Sequence, residues 1–132
     1  MPRAPRYLFA YGTLMVPEVV WRLLGHPLDS ERAEVRGFKR FRVKDAVYPG
    51  VVASEPSDSV SGMLLSGLSE SDWETLDRYE GSEYDRVSTR AILKGHQIDT
   101  EIYLFNQSDR ITDEPWDDSK VLEQLKDLGL ED

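Results

Sequence analysis

The carboxylate of Glu80 lies where a predicted helix ends, a position from which it could take part in acid–base chemistry. The run LDRYEGSEYDR (residues 76–86) places Glu80 at the end of a predicted helix, directly before Gly81, and a strand is predicted to begin near Tyr84. The helix macrodipole disfavours an acid at this end by a few tenths to ~1 kcal/mol, so helix stability gives no reason for this residue. A solvated helix end is the ordinary interpretation of such a glutamate. The alternative is a general acid or base, whose site the rest of the chain has to complete.

A second segment that could contribute to a site is the glycine turn near the N-terminus. Aromatic and aliphatic residues alternate over 7–11, which predicts a short strand with both faces buried, and Gly12 ends it. Pro17 suits the first turn of the following helix. Such a turn leaves backbone N–H groups unpaired, where a carboxylate or phosphate can bind. The signal is weak alone, since the turn lacks the further glycines of a dinucleotide fingerprint and the Gly-Lys-Ser/Thr of a P-loop.

The elements that must position these residues follow from hydrophobic spacing. The pattern predicts a helix over 17–24, a strand-like segment over 35–53 with a turn at 48–50, and a strand over 61–68. A second helix is predicted to start at Ser69, because Ser69 and Asp72 form the S-x-x-D signal of a helix start. A hairpin over 84–104 with a turn at 94–97 follows, and a last helix runs from Ser119 to its end at Gly129. We count about six strands, with helices too few for regular βαβ alternation. This indicates an α+β fold with a mixed sheet that can close.

Composition excludes several kinds of site. The chain has 132 residues, which fits one domain, and no cysteine, which excludes thiol catalysis, cysteine–zinc sites and disulfides and fits a reducing compartment. His26 and His96 are far apart in loop-like sequence, so we interpret both as surface residues. The sequence has no apolar run long enough for a membrane span and no signal-peptide core at its N-terminus. We therefore expect a soluble, cytoplasmic protein.

Charge argues against nucleic acid as a partner. The net charge is −9, and it divides into +4 over residues 1–50 (nine basic, five acidic) and −13 over residues 51–132 (seven basic, twenty acidic). An acidic chain repels a phosphate backbone. A basic cluster at Arg36, Lys39, Arg40, Arg42 and Lys44 alternates with apolar residues, and we interpret it as the solvated face of a strand.

Three motifs occur in order along the chain: YGTL after the first strand, LDRYEG followed by SEYDR in the middle, and IYLF near residue 103, with GFKRFRV and YPGVV between the first two. Together they resemble the γ-glutamyl cyclotransferase-like family, especially its branch of avirulence-induced plant proteins and their microbial relatives. The resemblance covers residues 7 to about 118. We accordingly expect a single domain of this family over 1–132, with an acidic C-terminal helix or tail from about 117.

The resemblance implies a fold and a site. The fold would be a small mixed, closed β-barrel flanked by helices, and the YGTL loop and the glutamate before the glycine would line the mouth of its cavity. Glu80 is then the catalytic acid and base, and no metal or cofactor takes part. The implied substrate-binding residues are Tyr11, Gly12, Thr13, Leu14, Met15, Val16, Tyr84, Arg86 and Tyr103. We expect a monomer or weak dimer that binds a small γ-glutamyl substrate and no membrane.

The implied chemistry suits these residue types. The free α-amine of a γ-glutamyl amide can attack its own side-chain carbonyl and form 5-oxoproline with release of an amine or peptide. The nucleophile belongs to the substrate, so the protein has to bind the carboxylate and move protons. Of the two acids in the central motif, Glu80 is the predicted base. Glu83 is better placed to pair with an arginine such as Arg86.

Two alternatives stay open from the sequence. The chain could be a non-catalytic or differently catalytic member of the same fold, because the family includes proteins that act on different γ-glutamyl compounds. It could instead be an interaction module, since residues 113–132 carry eight acids against two lysines around an amphipathic helix. The ordinary interpretation of that stretch is a surface helix with a frayed acidic end.

Overall fold

A computed structural model describes residues 6–46, 48–114 and 116. In chain order the elements are β1 (Tyr7–Ala10), a 3-10 helix (Thr13–Met15), α1 (Pro17–Leu24), β2 (Asp29–Arg36), β3 (Phe38–Arg42), β4 (Pro49–Ala53), β5 (Ser59–Ser66), α2 (Glu70–Glu80), β6 (Tyr84–Leu93), β7 (His96–Phe105) and a second 3-10 helix (Ser108–Arg110). The predicted C-terminal helix and acidic tail, from about 117, lie outside the described residues.

Five strands close into a mixed barrel in the order β1-β5-β2-β6-β7. Most neighbours are antiparallel, and a parallel contact between β1 and β7, at Leu8 and Glu101, closes the ring. Strands β3 and β4 form a separate antiparallel pair. The predicted α+β fold with a small closed barrel and flanking helices is confirmed. The described residues contain seven strands rather than about six, and five of them form the barrel.

Strand β1 lies between two cores, as its alternating apolar sequence predicts. Phe9 and Tyr11 belong to the cluster that fills the barrel, whose other buried members include Val35, Leu64 and Ile102. Leu8 and Ala10 belong to a second cluster that includes Val19 and Val20 of α1 and Trp73 and Leu76 of α2. Both faces of the strand are therefore buried, so its position and that of the turn after it are tightly defined.

Two strand boundaries differ from the sequence-based prediction. Strand β2 starts at Asp29 instead of near Val35, because it pairs with β5 along its whole length although its first four residues are exposed. Pro49 and Gly50, predicted as a turn, are the first residues of β4 and pair with Arg42 and Phe41. Proline is compatible with the first position of a strand, where its missing N–H can be tolerated.

The basic cluster is only partly the solvated face that its sequence predicts. Arg36, Lys39 and Lys44 are exposed, whereas Arg40 and Arg42 are partly buried. Arg40 donates a hydrogen bond of 3.0 Å to the carbonyl of Tyr11. It therefore supports the residue that precedes the glycine turn. In the part of the chain that the structure describes, no helix is long and apolar enough to cross a bilayer.

Candidate active site

Helix α2 carries Glu80 as its last residue and so fixes the position of this side chain. The helix begins with a reciprocal capping box, in which the Ser69 hydroxyl accepts from the Asp72 N–H and the Asp72 carboxylate accepts from the Ser69 N–H. Buried Trp73 and Leu76 anchor its inner face. It ends at Gly81, whose φ of +78° suits glycine. Glu80 is thus the last helical side chain and is fixed from behind, as the sequence predicts.

Glu80 lines two neighbouring spaces. An inner cavity of about 40 Å³ is lined by residues of β1, the glycine turn, Glu80 and several tyrosines. An open cleft of about 400 Å³ outside it is lined by residues 79–84 and Tyr48. The residues that line both spaces are Tyr48, Tyr79, Glu80 and Tyr84. A molecule that occupied both would have its middle beside the Glu80 carboxylate.

The Glu80 carboxylate is partly buried and has no partner among the residues that the structure describes. Within the described residues no group forms a hydrogen bond or ion pair with it, although other acids near it are paired. Desolvation raises the pKa of Glu80 from 4.5 to about 7. A charged acid that is desolvated and has no partner lowers the stability of a folded protein. A pKa near neutrality is what a general acid–base group requires.

The glycine turn forms the opposite wall. The N–H groups of Met15 and Val16 donate to the carbonyls of Gly12 and Thr13 at 3.0 and 2.9 Å, which makes the 3-10 helix. The N–H groups of Gly12, Thr13 and Leu14 find no acceptor among the described backbone groups and side chains. Thr13 and Leu14 are buried, whereas Gly12 is partly buried, so the first two residues are the better shielded from bulk water. Unpaired buried N–H groups beside a cavity suit an anionic ligand group.

Four tyrosines around the cavity are held through their hydroxyls. Tyr11 donates to the carbonyl of Tyr103 at 2.6 Å, and Tyr84 donates to the carbonyl of Pro49 at 2.7 Å. Tyr103 donates to Asp77 Oδ1 at 2.7 Å, and the Tyr79 hydroxyl is 2.9 Å from that of Thr13. Burial, and after it mainly the nearby acids, raises the pKa of Tyr11, Tyr84 and Tyr103. These phenols therefore stay protonated at neutral pH and shape the cavity as rigid walls.

Most of the predicted site residues meet in this place. The inner cavity is lined by seven of them: Tyr11, Gly12, Thr13, Leu14, Glu80, Tyr84 and Tyr103. Met15 and Val16 are partly buried instead against the core beneath the helices. Arg86 lies behind the cavity, with its Nε 3.2 Å from Asp77 Oδ1 and its guanidinium 4.5 Å from the centre of the Trp73 ring. The structure does not bring these last three residues to the cavity.

Glu83 pairs with an arginine, as predicted, but its partner is Arg110 and not Arg86, the example that the sequence suggested. Glu83 Oε2 lies 3.0 Å from Arg110 Nη1 and accepts a hydrogen bond of 2.9 Å from the Tyr48 hydroxyl. Arg86 faces Asp77 and Glu101 instead. Glu83 lies outside β6, which begins at Tyr84, so the alternation of side chains along the strand does not set its direction relative to Arg86.

Sequence reasoning missed six lining residues. Three of them belong to β1, and the other three are Tyr48, Pro49 and Tyr79. Tyr79 directly precedes Glu80 in the sequence, and that position is a usable signal. Tyr48 and Pro49 gave only a turn signal, because their contacts are with residues about 35 positions away. The described residues contain no cluster of three or more His, Asp or Glu that could hold a metal ion.

The sequence is similar to a known protein family and to several plant proteins. The family model described as gamma-glutamyl cyclotransferase, AIG2-like, matches residues 8–118. AIG2-like protein C of Arabidopsis thaliana is 36% identical over 104 residues, covering 77% of this chain and 60% of the relative. AIG2-like protein D of the same plant is 32% identical over 105 residues, covering 77% and 68%. The chain thus spans about 60% of the length of the first of these relatives.

Solved structures share the fold. An Arabidopsis thaliana protein solved in solution superposes with a TM-score of 0.76 at 25% identity, over 97% of this chain and 80% of its own. A solved protein named gamma-glutamyl cyclotransferase superposes with a TM-score of 0.72 at 18% identity, over 96% of this chain and 82% of its own. At that identity the second likeness shows the fold alone.

Proposed function

Because the chain belongs to the AIG2-like gamma-glutamyl cyclotransferase family, we propose that it converts a γ-glutamyl amide or peptide into 5-oxoproline and a free amine. The observation that carries the proposal is the Glu80 carboxylate, which is partly buried, unpaired within the described residues, lines two neighbouring spaces and has a pKa of about 7. The identity of the amine is left open by this observation.

In the proposed reaction Glu80 moves one proton in each half. Its carboxylate takes a proton from the substrate α-ammonium, and the freed amine attacks the side-chain carbonyl carbon. The new C–N bond closes a five-membered ring and leaves negative charge on the carbonyl oxygen. The bond to the leaving nitrogen then breaks as protonated Glu80 returns this first proton to it. The ring nitrogen still holds one proton more than an amide nitrogen, and it releases that second proton to solvent or to the freed amine, which becomes an ammonium ion. Acid–base assistance of this kind typically contributes ~10²–10⁴-fold.

The glycine turn would hold the substrate in the bent form. The unpaired N–H groups of residues 12–14 suit the substrate α-carboxylate, and the tyrosine walls leave little room for an extended chain. The α-carboxylate end of the γ-glutamyl part would then point into the small inner cavity, and the leaving amine would lie in the outer cleft. The C–N bond that forms and the C–N bond that breaks would both lie beside the Glu80 carboxylate.

The test compares Glu80→Gln with Glu74→Gln, an exposed acid on the same helix. Each protein is incubated with γ-glutamyl dipeptides and γ-glutamyl alkylamides, and 5-oxoproline is quantified. We expect turnover by the parent and Glu74→Gln, and a loss of about 10²-fold or more in Glu80→Gln. A parent that forms no 5-oxoproline from any of these compounds contradicts the proposed reaction. A folded Glu80→Gln protein that keeps more than about a tenth of the rate contradicts the role of Glu80.

A further inference from the structure

Tyr48 borders both spaces of the site. Its side chain is partly buried and lines the inner cavity and the outer cleft, as Glu80 does. Its ring centre is 6.4 Å from that of Tyr84, another residue shared by the two spaces. Any ligand that extends from the inner cavity into the cleft therefore passes close to the Tyr48 ring.

Two charged residues hold the Tyr48 hydroxyl. The hydroxyl donates to Glu83 Oε2 at 2.9 Å and accepts from Arg110 Nη2 at 3.0 Å. Arg110 Nη1 lies 3.0 Å from the same Glu83 oxygen, so the three groups form a closed triangle, which we call the Tyr48 clamp. The clamp joins three separate segments of the chain at one wall of the site.

Arg110 is itself held in place. Its guanidinium is 6.0 Å from the centres of both the Tyr48 and Phe105 rings. Its Nη2 also reaches the Lys44 carbonyl at 3.3 Å, and its own carbonyl accepts from the Lys44 N–H at 2.9 Å. Arg110 therefore presents its donors to Tyr48 from a defined position, which lowers the entropy cost of fixing the ring.

The loop that carries Glu83 does not depend on the clamp for its attachment. Asn106 donates from its backbone N–H to the Glu83 carbonyl and from its side-chain amide to the Ser82 carbonyl, each at 2.9 Å. The Glu83 and Arg110 side chains are also 37% and 28% exposed, and ion pairs with such exposure contribute little to stability. What the clamp specifically defines is the orientation of the Tyr48 ring.

We propose that Tyr48 is a specificity-determining residue for the leaving amine, and that Arg110 and Glu83 are positioning residues that act on the substrate only through the Tyr48 ring. This inference rests on the proposed function. The γ-glutamyl part is common to all substrates, and its α-carboxylate end is directed to the inner cavity. The amine differs between substrates and occupies the cleft that Tyr48 borders. Loss of the clamp, which frees the Tyr48 ring to move, should therefore lower kcat/KM for substrates with a large amine and leave it unchanged for those with a small one.

The experiment uses two substrates that differ only in the amine, γ-glutamyl methylamide and γ-glutamyl benzylamide. The variants are Tyr48→Phe, which removes one oxygen and keeps the ring, and Arg110→Met. Arg90→Met is the matched control, because Arg90 forms an exposed pair with Asp99 on the β6–β7 hairpin. The values of kcat and KM are measured separately for each substrate, and 5-oxoproline binding is measured by calorimetry.

We expect the ratio of kcat/KM for benzylamide to that for methylamide to fall about ten-fold in Tyr48→Phe and in Arg110→Met. The methylamide values and 5-oxoproline affinity should stay within about two-fold of the parent, since the inner cavity is intact. Arg90→Met should match the parent throughout. If the clamp served only to stabilise the fold, its loss would lower kcat/KM equally for both substrates. The ratio of the two values therefore distinguishes a specificity role from a structural one.

An unchanged ratio in variants that turn over methylamide, or an equal fall for both substrates, overturns the inference and leaves the proposed function standing. A parent that forms 5-oxoproline from neither substrate overturns both. If Arg110→Met does not fold, the ratio measured for Tyr48→Phe decides the matter alone, because loss of one hydroxyl leaves the ring and its packing in place.

Discussion

At the scale of single residues, the site depends on Glu80 having no partner within the described chain. A carboxylate that is desolvated and unpaired destabilises the fold once it is charged, whereas a paired one would have a low pKa and could not take part in proton transfer near neutrality. The inner wall supplies tyrosine hydroxyls, but each of them is engaged elsewhere, with a backbone carbonyl, Asp77 or Thr13. The arrangement therefore favours a functional acid over a stabilising one.

The first prediction at this scale concerns pH and the rate. If Glu80 is the base, kcat/KM should fall about ten-fold for each pH unit below its pKa of about 7 and level off above it. The measurement is a pH–rate profile for the parent. The Glu74→Gln protein should give the same profile. A rate that stays constant between pH 5 and pH 8 would show that another group carries the proton.

The second prediction concerns pH and stability. The folded pKa of Glu80 is raised from 4.5 to about 7, so its contribution to stability is fully present below pH 4.5 and is lost as pH rises through 7. That shift corresponds to about 3 kcal/mol at high pH. Glu80→Gln lacks this titration and should be more stable than the parent at pH 8, as urea unfolding can measure. Equal stability of the two proteins at pH 8 would mean that the Glu80 carboxylate is well solvated.

Gly12 carries the third prediction. A Cβ at this position would lie 3.0 Å from Pro49 Cγ, which is closer than a side chain normally packs. Gly12→Ala should displace Pro49, whose carbonyl accepts from Tyr84, and should misalign the turn. We expect KM for a γ-glutamyl substrate to rise roughly ten- to hundred-fold, as loss of one or two charge-assisted hydrogen bonds implies. A variant that melts earlier but binds 5-oxoproline as tightly as the parent would place the carboxylate elsewhere.

At the scale of elements, α2 is positioned at both ends. Its C-terminal residue enters the site, and its N-terminal capping residue Asp72 is buried and bonded to His26, in the loop after α1. His26 Nε2 lies 2.9 Å from Asp72 Oδ1, and Nδ1 lies 2.9 Å from the Pro27 carbonyl. Both partners are acceptors, so the doubly protonated imidazolium satisfies the geometry best. The contact ties the two helices on which the second core depends.

This contact gives the fourth prediction. The hydrogen bond to Asp72, followed by the bond to Pro27, raises the pKa of His26 from 6.5. Burial acts to raise the pKa of Asp72, but hydrogen bonds from Ser69 and His26 lower it overall. The stability from charged His26 is fully present below pH 6.5 and is lost as pH rises through its folded pKa. Urea unfolding should show that the difference in stability between the parent and His26→Gln shrinks from pH 6 to pH 8.5. His96→Gln is the control, and an equal difference at both pH values would contradict the pairing.

At the scale of the whole molecule, closure of the barrel fixes the site. Strand β1 pairs with β5 on one side and meets β7 on the other, so the glycine turn after β1 and Tyr103 of β7 line the same cavity. The barrel interior is filled mainly by large side chains such as Phe9, Val35 and Ile102, all nearly inaccessible to solvent. Displacing one of these strands should therefore change the site as well as the stability.

Gly62 in β5 provides the fifth prediction. A Cβ there would lie 2.8 Å from Phe9 Cζ and would also meet the Ala10 carbonyl. Phe9 and Ala10 are buried in β1, so neither can move cheaply. Gly62→Ala should reduce the free energy of unfolding by roughly 1–3 kcal/mol or more. Ser61→Ala, at the exposed neighbouring position, should change it little. Urea unfolding compares the two, and equal stabilities would show that the barrel interior is loosely packed.

The sequence by itself determined the features that depend on neighbours in the chain. The buried first strand, the Ser69 capping box and the end of α2 at Gly81 all arise from spacing within a few residues, where alternation, capping and helix termination act. These features were enough to place Glu80 at a helix end and the glycine turn at the end of a buried strand. The motifs together then indicated the closed barrel.

Only the tertiary structure decided which polar side chains meet. Glu83 pairs with Arg110 rather than Arg86, and Tyr48, 62 positions from Arg110, becomes part of the cavity wall. Strand β2 extends over exposed charged residues because β5 offers its backbone along the whole length. A charged side chain has many possible partners, and which one it meets depends on how the strands close. The spacing of residues along the chain does not contain that information, because long-range pairing is a property of the assembled barrel.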